Sequence, residues 1–245
     1  MEYAYLGSNA ISFAVWIFLY WHRKDLRRMM LIMSICAMPL ALFDLVFVPA
    51  YWKPVTLFHM PVGLEGFLYS FSVGGIAAVI YAELTKRTPR HIRAWRASTK
   101  HALWVPVVMF TTFVVAYALK VPNPEIAAYI AVTAGVALTI YLRPDLALHI
   151  PYGAVAFGVV YFACLKIWIL LFPGAQEWFV FQNMPKLFIW GVPGWEAIFG
   201  FFFGASWSNL YEILFGYRLV PVRAPGKFKT ERARTRSTDR KRSAK

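Results

Sequence analysis

A chain of 245 residues that is 59% hydrophobic and 18% aromatic, with only 16% charged residues, has too little polar surface to close a water-soluble globule. Its charges are bunched between long apolar runs, which specifies an all-α polytopic membrane protein. The formal charge of +14, from 26 basic and 12 acidic residues, fits that class, because Lys and Arg gather on the cytoplasmic side of membrane proteins. A nucleic-acid partner is therefore not expected.

A helix needs about 20 apolar residues to cross a bilayer. Seven runs meet that need, near Tyr3–Trp21, Met29–Val48, Leu64–Leu84, Leu103–Leu119, Glu125–Leu142, Leu148–Phe172 and Gly194–Phe215. The first follows Met1-Glu2-Tyr3 with no basic n-region and no small-residue cleavage site, so it reads as a retained span and not a signal peptide. Pro106 falls in the first turn of the fourth, where a missing N–H costs little. Cys36 and Cys164 lie inside apolar runs, and neither their spacing nor their setting suggests a disulfide or a metal site.

Arg23, Lys24, Arg27 and Arg28 follow the first run, and Lys86 to Lys100 follow the third. Arg143 follows the fifth, and the tail from Arg218 is strongly basic. These loops hold 22 basic residues, whereas Lys53, Lys120 and Lys186 are the three on the opposite side. The asymmetry predicts an N-terminus outside, a cytoplasmic C-terminus and multi-pass insertion in the cell membrane. From Val220 to Lys245 the chain is polar and without hydrophobic periodicity, which predicts a disordered basic tail that anionic membrane lipids attract.

The chain repeats itself. Gly63-Leu64-Glu65-Gly66-Phe67-Leu68, running on to Tyr81-Ala82-Glu83, returns as Gly194-Trp195-Glu196-Ala197-Ile198-Phe199, running on to Tyr211-Glu212. Upstream, Tyr20-Trp21-His22-Arg23-Lys24-Asp25-Leu26 returns as Tyr141-Leu142-Arg143-Pro144-Asp145-Leu146. Spans one to three thus correspond to spans five to seven. The fourth restores orientation and makes the two units parallel repeats. The expected boundaries are a first repeat over 1–88, a basic loop and connector helix over 89–123, a second repeat over 124–219 and the tail over 220–245.

In that arrangement Glu65 and Glu196 enter the membrane from the same outer face. A carboxylate in a first helical turn complements the helix dipole, which explains either glutamate alone. Two such entrances in register suggest one shared site. Asp44, near the outer end of span two, and Lys166, inside span six, are ionisable groups at a similar depth, where such groups face an interior or a partner. Pairing of Lys166 with Glu196 or Asp44 would leave another carboxyl free to act as a general acid; the plainer alternative is that Lys166 snorkels to the interface. The outer loops are aromatic, with Trp52 in one and Trp190 in the other, which makes either an interfacial belt or a lid over a cation. His59 is a candidate proton relay or an interfacial histidine. Glu83 and Glu212 read as charge partners of the basic loops, and Ser206, Ser208 and Asn209 as interhelical hydrogen-bonding groups. No Gly-x-Gly-x-x-Gly follows a strand and the five histidines are scattered, so neither a nucleotide cofactor nor a metal is expected. Span seven has no lysine for a retinal Schiff base.

These segments resemble the small membrane lycopene cyclases of bacteria and archaea in their fused two-domain form. That family carries Pro-x-Glu-Glu ahead of a phenylalanine-rich helix ending in Tyr-Glu, once per three-span domain. Phe215-Gly216-Tyr217-Arg218-Leu219 is similar to the close of the second domain, and Asp44 and Trp52 to acidic and aromatic positions upstream of the first motif. The resemblance covers residues 1 to about 219. It implies a cofactor-independent isomerase that protonates a lycopene-like polyene end group, closes a ring through a carbocation and removes a proton. Glu65 and Glu196 would be acid and base, with Asp44 assisting; Trp52, Phe67, Trp195, Phe199 and Lys166 would contact the carotenoid or other polyprenoid. In this chain the second acid of each motif is Gly66 or Ala197, and the motif proline is a glycine. A binder of carotenoid or isoprenoid without turnover is the alternative on the same fold, and a hydratase is a third.

Overall fold

The computed structural model describes residues 3–57, 59–60, 62–91 and 99–222. Helices form at all seven predicted places, because each apolar run must satisfy its own backbone hydrogen bonds. They are α1 (Ala4–His22), α2 (Arg27–Ala37) with its continuation to Phe47, α4 (Leu64–Leu84), α6 (Trp104–Ala118), α7 (Pro124–Leu142), α8 (His149–Leu171) and α9 (Gly194–Phe215). A short α5 (Thr99–Ala102) precedes α6. Five of them are long and apolar enough to cross a membrane: α1, the composite Arg27–Phe47, α4, α7 and α8. At 1.5 Å per residue, 19 to 23 residues extend about 30 Å, the thickness of the hydrocarbon layer. The α6 helix is shorter, at 15 residues, and the 22-residue α9 carries Glu196 in its first turn and Glu212 near its end.

The second predicted span is not one continuous α-helix. After Ala37 the chain tightens into a 3-10 segment, Met38–Phe43, and then makes a single α-turn, α3 (Asp44–Phe47). Pro39 lacks the N–H that would extend the ladder, and its ring displaces the carbonyl four residues back. Asp44 stands at the junction.

The centre of the bundle is α4, against which α1, α2, α8 and α9 all pack. Every residue from Ile76 to Ala82 is buried, so this helix is covered on all faces over about two turns. α8 packs along α9, α6 and α7 form a hairpin, and α7 leans on α9.

Two features join the halves of the chain. At the basic end, β1 (Arg87–His91) pairs antiparallel with β4 (Tyr217–Pro221), with Pro89 opposite Leu219 at the centre. If Tyr81 matches Tyr211, Leu219 is also the counterpart of Pro89, so exchanging the halves leaves this register unchanged. At the opposite end Trp52 bridges Phe179, with Val180 N donating to Tyr51 O at 2.8 Å and Lys53 N to Trp178 O at 2.7 Å. A second strand pair, β2 (Phe188–Ile189) with β3 (Val192–Pro193), leads into α9.

The basic loops repeat in detail. Arg23 grips both carboxylate oxygens of Asp25 at 2.8 Å, and Arg143 grips Asp145 at 2.7 and 2.8 Å. Each arginine then reaches the end of its own repeat's last helix, Arg23 at Ala82 O and the Glu83 carboxylate, and Arg143 at Glu212 O. The guanidinium groups hold the Asp25 and Asp145 carboxyls below the usual carboxylate range. Val220 and Pro221, expected at the start of the tail, belong to β4, since pairing with β1 gives their backbone groups partners. The rest of the tail, from residue 223, lies outside the described residues, as do Arg93 and Arg96 of the basic loop.

Candidate functional site

A cavity of about 570 Å³ opens between the helices near the Trp52–Phe179 end, walled almost wholly by apolar side chains. Three carboxyl groups line it: Asp44, Glu125 and Glu196. Each comes from a helix start. Glu196 stands in the first turn of α9, after Pro193 and Gly194. Glu125 stands in the first turn of α7, where the Asn123 side chain caps the Glu125 N–H at 2.9 Å and Pro124 occupies the position that needs no donor. The Asn123 amide also donates to Gln182 O at 2.8 Å, tying this helix start to the loop between α8 and α9.

Glu196 is the best-connected of the three. Tyr161 Oη donates to Glu196 Oε2 at 2.5 Å, and Tyr69 Oη donates to Tyr161 Oη at 2.5 Å. The chain of two phenols and a carboxylate sews α4, α8 and α9 together inside the cavity wall. Close approach of α8 and α9 makes it possible: a Cβ on Gly200 would lie 2.8 Å from Tyr161 Cδ1, so a larger residue there would push the phenol aside. Glu125 and Glu196 are within electrostatic reach of each other, and the Tyr51 hydroxyl is within reach of both.

Asp44 occupies a different wall. The Trp52 indole stands within electrostatic reach of its carboxylate, and Trp52 itself packs edge-on against Tyr5 at 5.0 Å. Asp44 Oδ2 fits against the bare backbone of Gly66, where a Cβ would come within 2.8 Å. Gly66 thus makes room for the acid supplied by the 3-10 break.

The predicted residues are divided accordingly. Asp44, Glu196, Trp52 and Phe199 line the cavity together. Glu65 is not among its lining residues. Its Oε1 accepts from Leu57 N at 2.6 Å, so the carboxylate turns toward the preceding loop and pins it to the start of α4. Lys166 pairs with no cavity carboxyl; its Nζ donates to Trp190 O at 2.5 Å, as a side chain seeking the nearest polar edge does. Trp195 lies outside the lining, with Nε1 donating to Pro185 O at 2.8 Å and its ring stacked on Tyr129 at 6.4 Å. Phe67 is half-buried, also outside the lining.

Sequence reasoning did not pick out Glu125 or the Tyr69–Tyr161 pair. Asn123-Pro124-Glu125 carried a signal, but one that reads first as a helix start. A stronger signal was the repeat itself: with Arg23 matched to Arg143, Glu125 is the counterpart of Tyr5, and both line the cavity. Phenols three helices apart leave no trace in spacing.

Chemically, the site holds acids that can donate and accept protons, a phenol chain behind one of them, and aromatic faces from Trp52, Phe179 and Phe199 that can stabilise positive charge. Among the described residues no group of three or more His, Cys, Asp or Glu side chains is placed to hold a metal. Comparison of the chain with protein-family models, with curated proteins and with solved structures finds no match.

Proposed function

We propose that this chain is a seven-span membrane protein, N-terminus outside, that cyclises a lycopene-like carotenoid end group by acid catalysis without a cofactor. The observation that carries the reading is the convergence of Asp44, Glu125 and Glu196 at one end of an otherwise apolar cavity. Carboxyl groups brought together in a dry, aromatic space serve proton transfer to and from hydrocarbon better than they serve stability, since unpaired buried acids are costly.

The roles follow from the partners. Asp44, in its acid form, gives its proton to the terminal double bond, whose π electrons form the new C–H bond and leave a tertiary carbocation. The π electrons of the next double bond attack that cation and form the ring-closing C–C bond, which leaves the positive charge on the other carbon of that double bond. Glu196 then takes a proton from the adjacent carbon, and the C–H pair becomes the ring double bond. No electrons enter or leave, so no redox partner is required. Glu196 suits the base because it already accepts a hydrogen bond from Tyr161. Asp44 takes the complementary role of acid because it faces the same cavity from a different wall. Glu65, with its carboxylate turned to the Leu57 amide, holds the loop and touches no reacting atom in this scheme.

The test is expression in a lycopene-accumulating bacterial host with chromatography of the pigments. A cyclised product that disappears in Asp44→Asn and Glu196→Gln, and persists in Glu65→Gln, is the expected result. Unchanged lycopene despite confirmed insertion counts against cyclisation. The absence of an acid at Gly66 and Ala197 favours a second reading, a carotenoid or isoprenoid binder without turnover. Pigment that copurifies unconverted with the wild-type chain selects that reading.

A further inference from the structure

The cavity has a direction. Its three acids gather at one end, and from Glu196 the lining continues down a single face of α9 through Phe199, Phe203, Trp207 and Leu210. That stretch of helix rises about 20 Å, so the space is a long apolar slot with its polar groups at the head.

One side wall of the slot is thin. Leu42 of the 3-10 segment and Phe110 of α6 both line it and are sparsely covered, at 52% and 59% exposed. Between them stands Phe43, whose ring meets Phe110 and Phe113 edge-on, with centroids 6.3 and 4.8 Å away. The 3-10 segment and α6 are otherwise packed only thinly on one another. A seam closed by ring edges opens through side-chain rotation, with no ladder hydrogen bond to break. The tight Pro39 turn also leaves this segment without the regular helical ladder that stiffens its neighbours.

We infer that this seam is a lateral portal. A linear apolar molecule dissolved in the bilayer passes between Met38–Phe43 and α6, with Phe43 as the gate, and comes to lie along α9 with one end at the carboxyl groups. Exit of the product takes the same way. The identity of that molecule rests on the reading above; the portal does not.

The experiment uses the full chain in lipid vesicles with a small apolar aryl diazirine dissolved in the bilayer. After photolysis, labelled residues are located by mass spectrometry. Wild-type protein should carry label on Phe203 and Trp207 in the slot as well as on lipid-facing Leu170, which is 65% exposed and serves as the internal standard. Narrowing the seam with Leu42→Trp and Phe110→Trp together should bring the slot label to background while Leu170 is unchanged. Phe43→Ala should raise the slot label. A slot label indifferent to both variants, or absent from the wild type while Leu170 is labelled, overturns the portal. If the label follows the gate but no carotenoid is bound or converted in the pigment assay, the cyclase reading fails and the portal stands.

Discussion

Glu196 and Asp44 differ in what holds them, and that difference sets what their loss should do. General acid or base groups contribute about 10²- to 10⁴-fold, so Glu196→Gln should lower product formation by at least about 100-fold in the pigment assay. Tyr161→Phe removes the donor to Glu196 and the acceptor for Tyr69 while keeping the ring. It should cause a smaller loss and shift the pH profile of turnover, which a purely structural phenol would not do. Gly66→Ala is a different probe. It drives a methyl to within 2.8 Å of Asp44 Oδ2, so the carboxylate must move. Overpacking of this kind costs about 1–3 kcal/mol. A thermal melt in detergent should show that modest loss, whereas turnover should fall as far as in Asp44→Asn; wild-type turnover in Gly66→Ala would remove Asp44 from the acid role.

At the scale of elements, much of the fold was legible. Helix positions followed from hydropathy to within a residue or two in most cases, because a backbone in lipid has no alternative to internal hydrogen bonding. The break in the second span was written in Pro39, but a proline inside an apolar run marks a kink without saying what the kink presents. It presents Asp44. Glu65 shows the reverse case. Its match to Glu196 is plain in the sequence, yet the two carboxylates do different things, because Leu57 offers one an amide and Tyr161 offers the other a phenol. Motif identity fixes the start of a helix; the loop in front of it decides where the side chain turns. Lys166 followed the same logic, since the nearest polar partner was a carbonyl in the β2–β3 turn that spacing alone does not locate. Glu65→Gln should therefore act through the loop. It should loosen residues around Leu57, raising their amide exchange, and leave product formation within a few fold of wild type.

At the scale of the whole molecule, the halves are locked at both ends, by β1 with β4 and by Trp52 with Phe179. The basic end adds two matching arginine–aspartate clamps, and these give stability a pH dependence whose sign can be worked out. Asp25 and Asp145 titrate lower in the folded protein than in the unfolded chain, because Arg23 and Arg143 bind their charged forms. Such groups contribute stability that is present above the unfolded carboxyl pKa of about 3.9 and is lost as pH falls through the folded value. The clamps are thus at full strength at neutral pH and fail in acid. Arg143 is completely buried and Asp145 is about one-third exposed, so protonation of the aspartate leaves a charged guanidinium with one fewer anion. Asp145→Asn should therefore lower the melting temperature in detergent at pH 7, and the gap from wild type should close as the pH is taken below about 4. Asp25→Asn should show the same closing gap, since Arg23 grips Asp25 as Arg143 grips Asp145. A gap that stays constant down to pH 3 would mean that the clamp aspartates act through packing and not through charge.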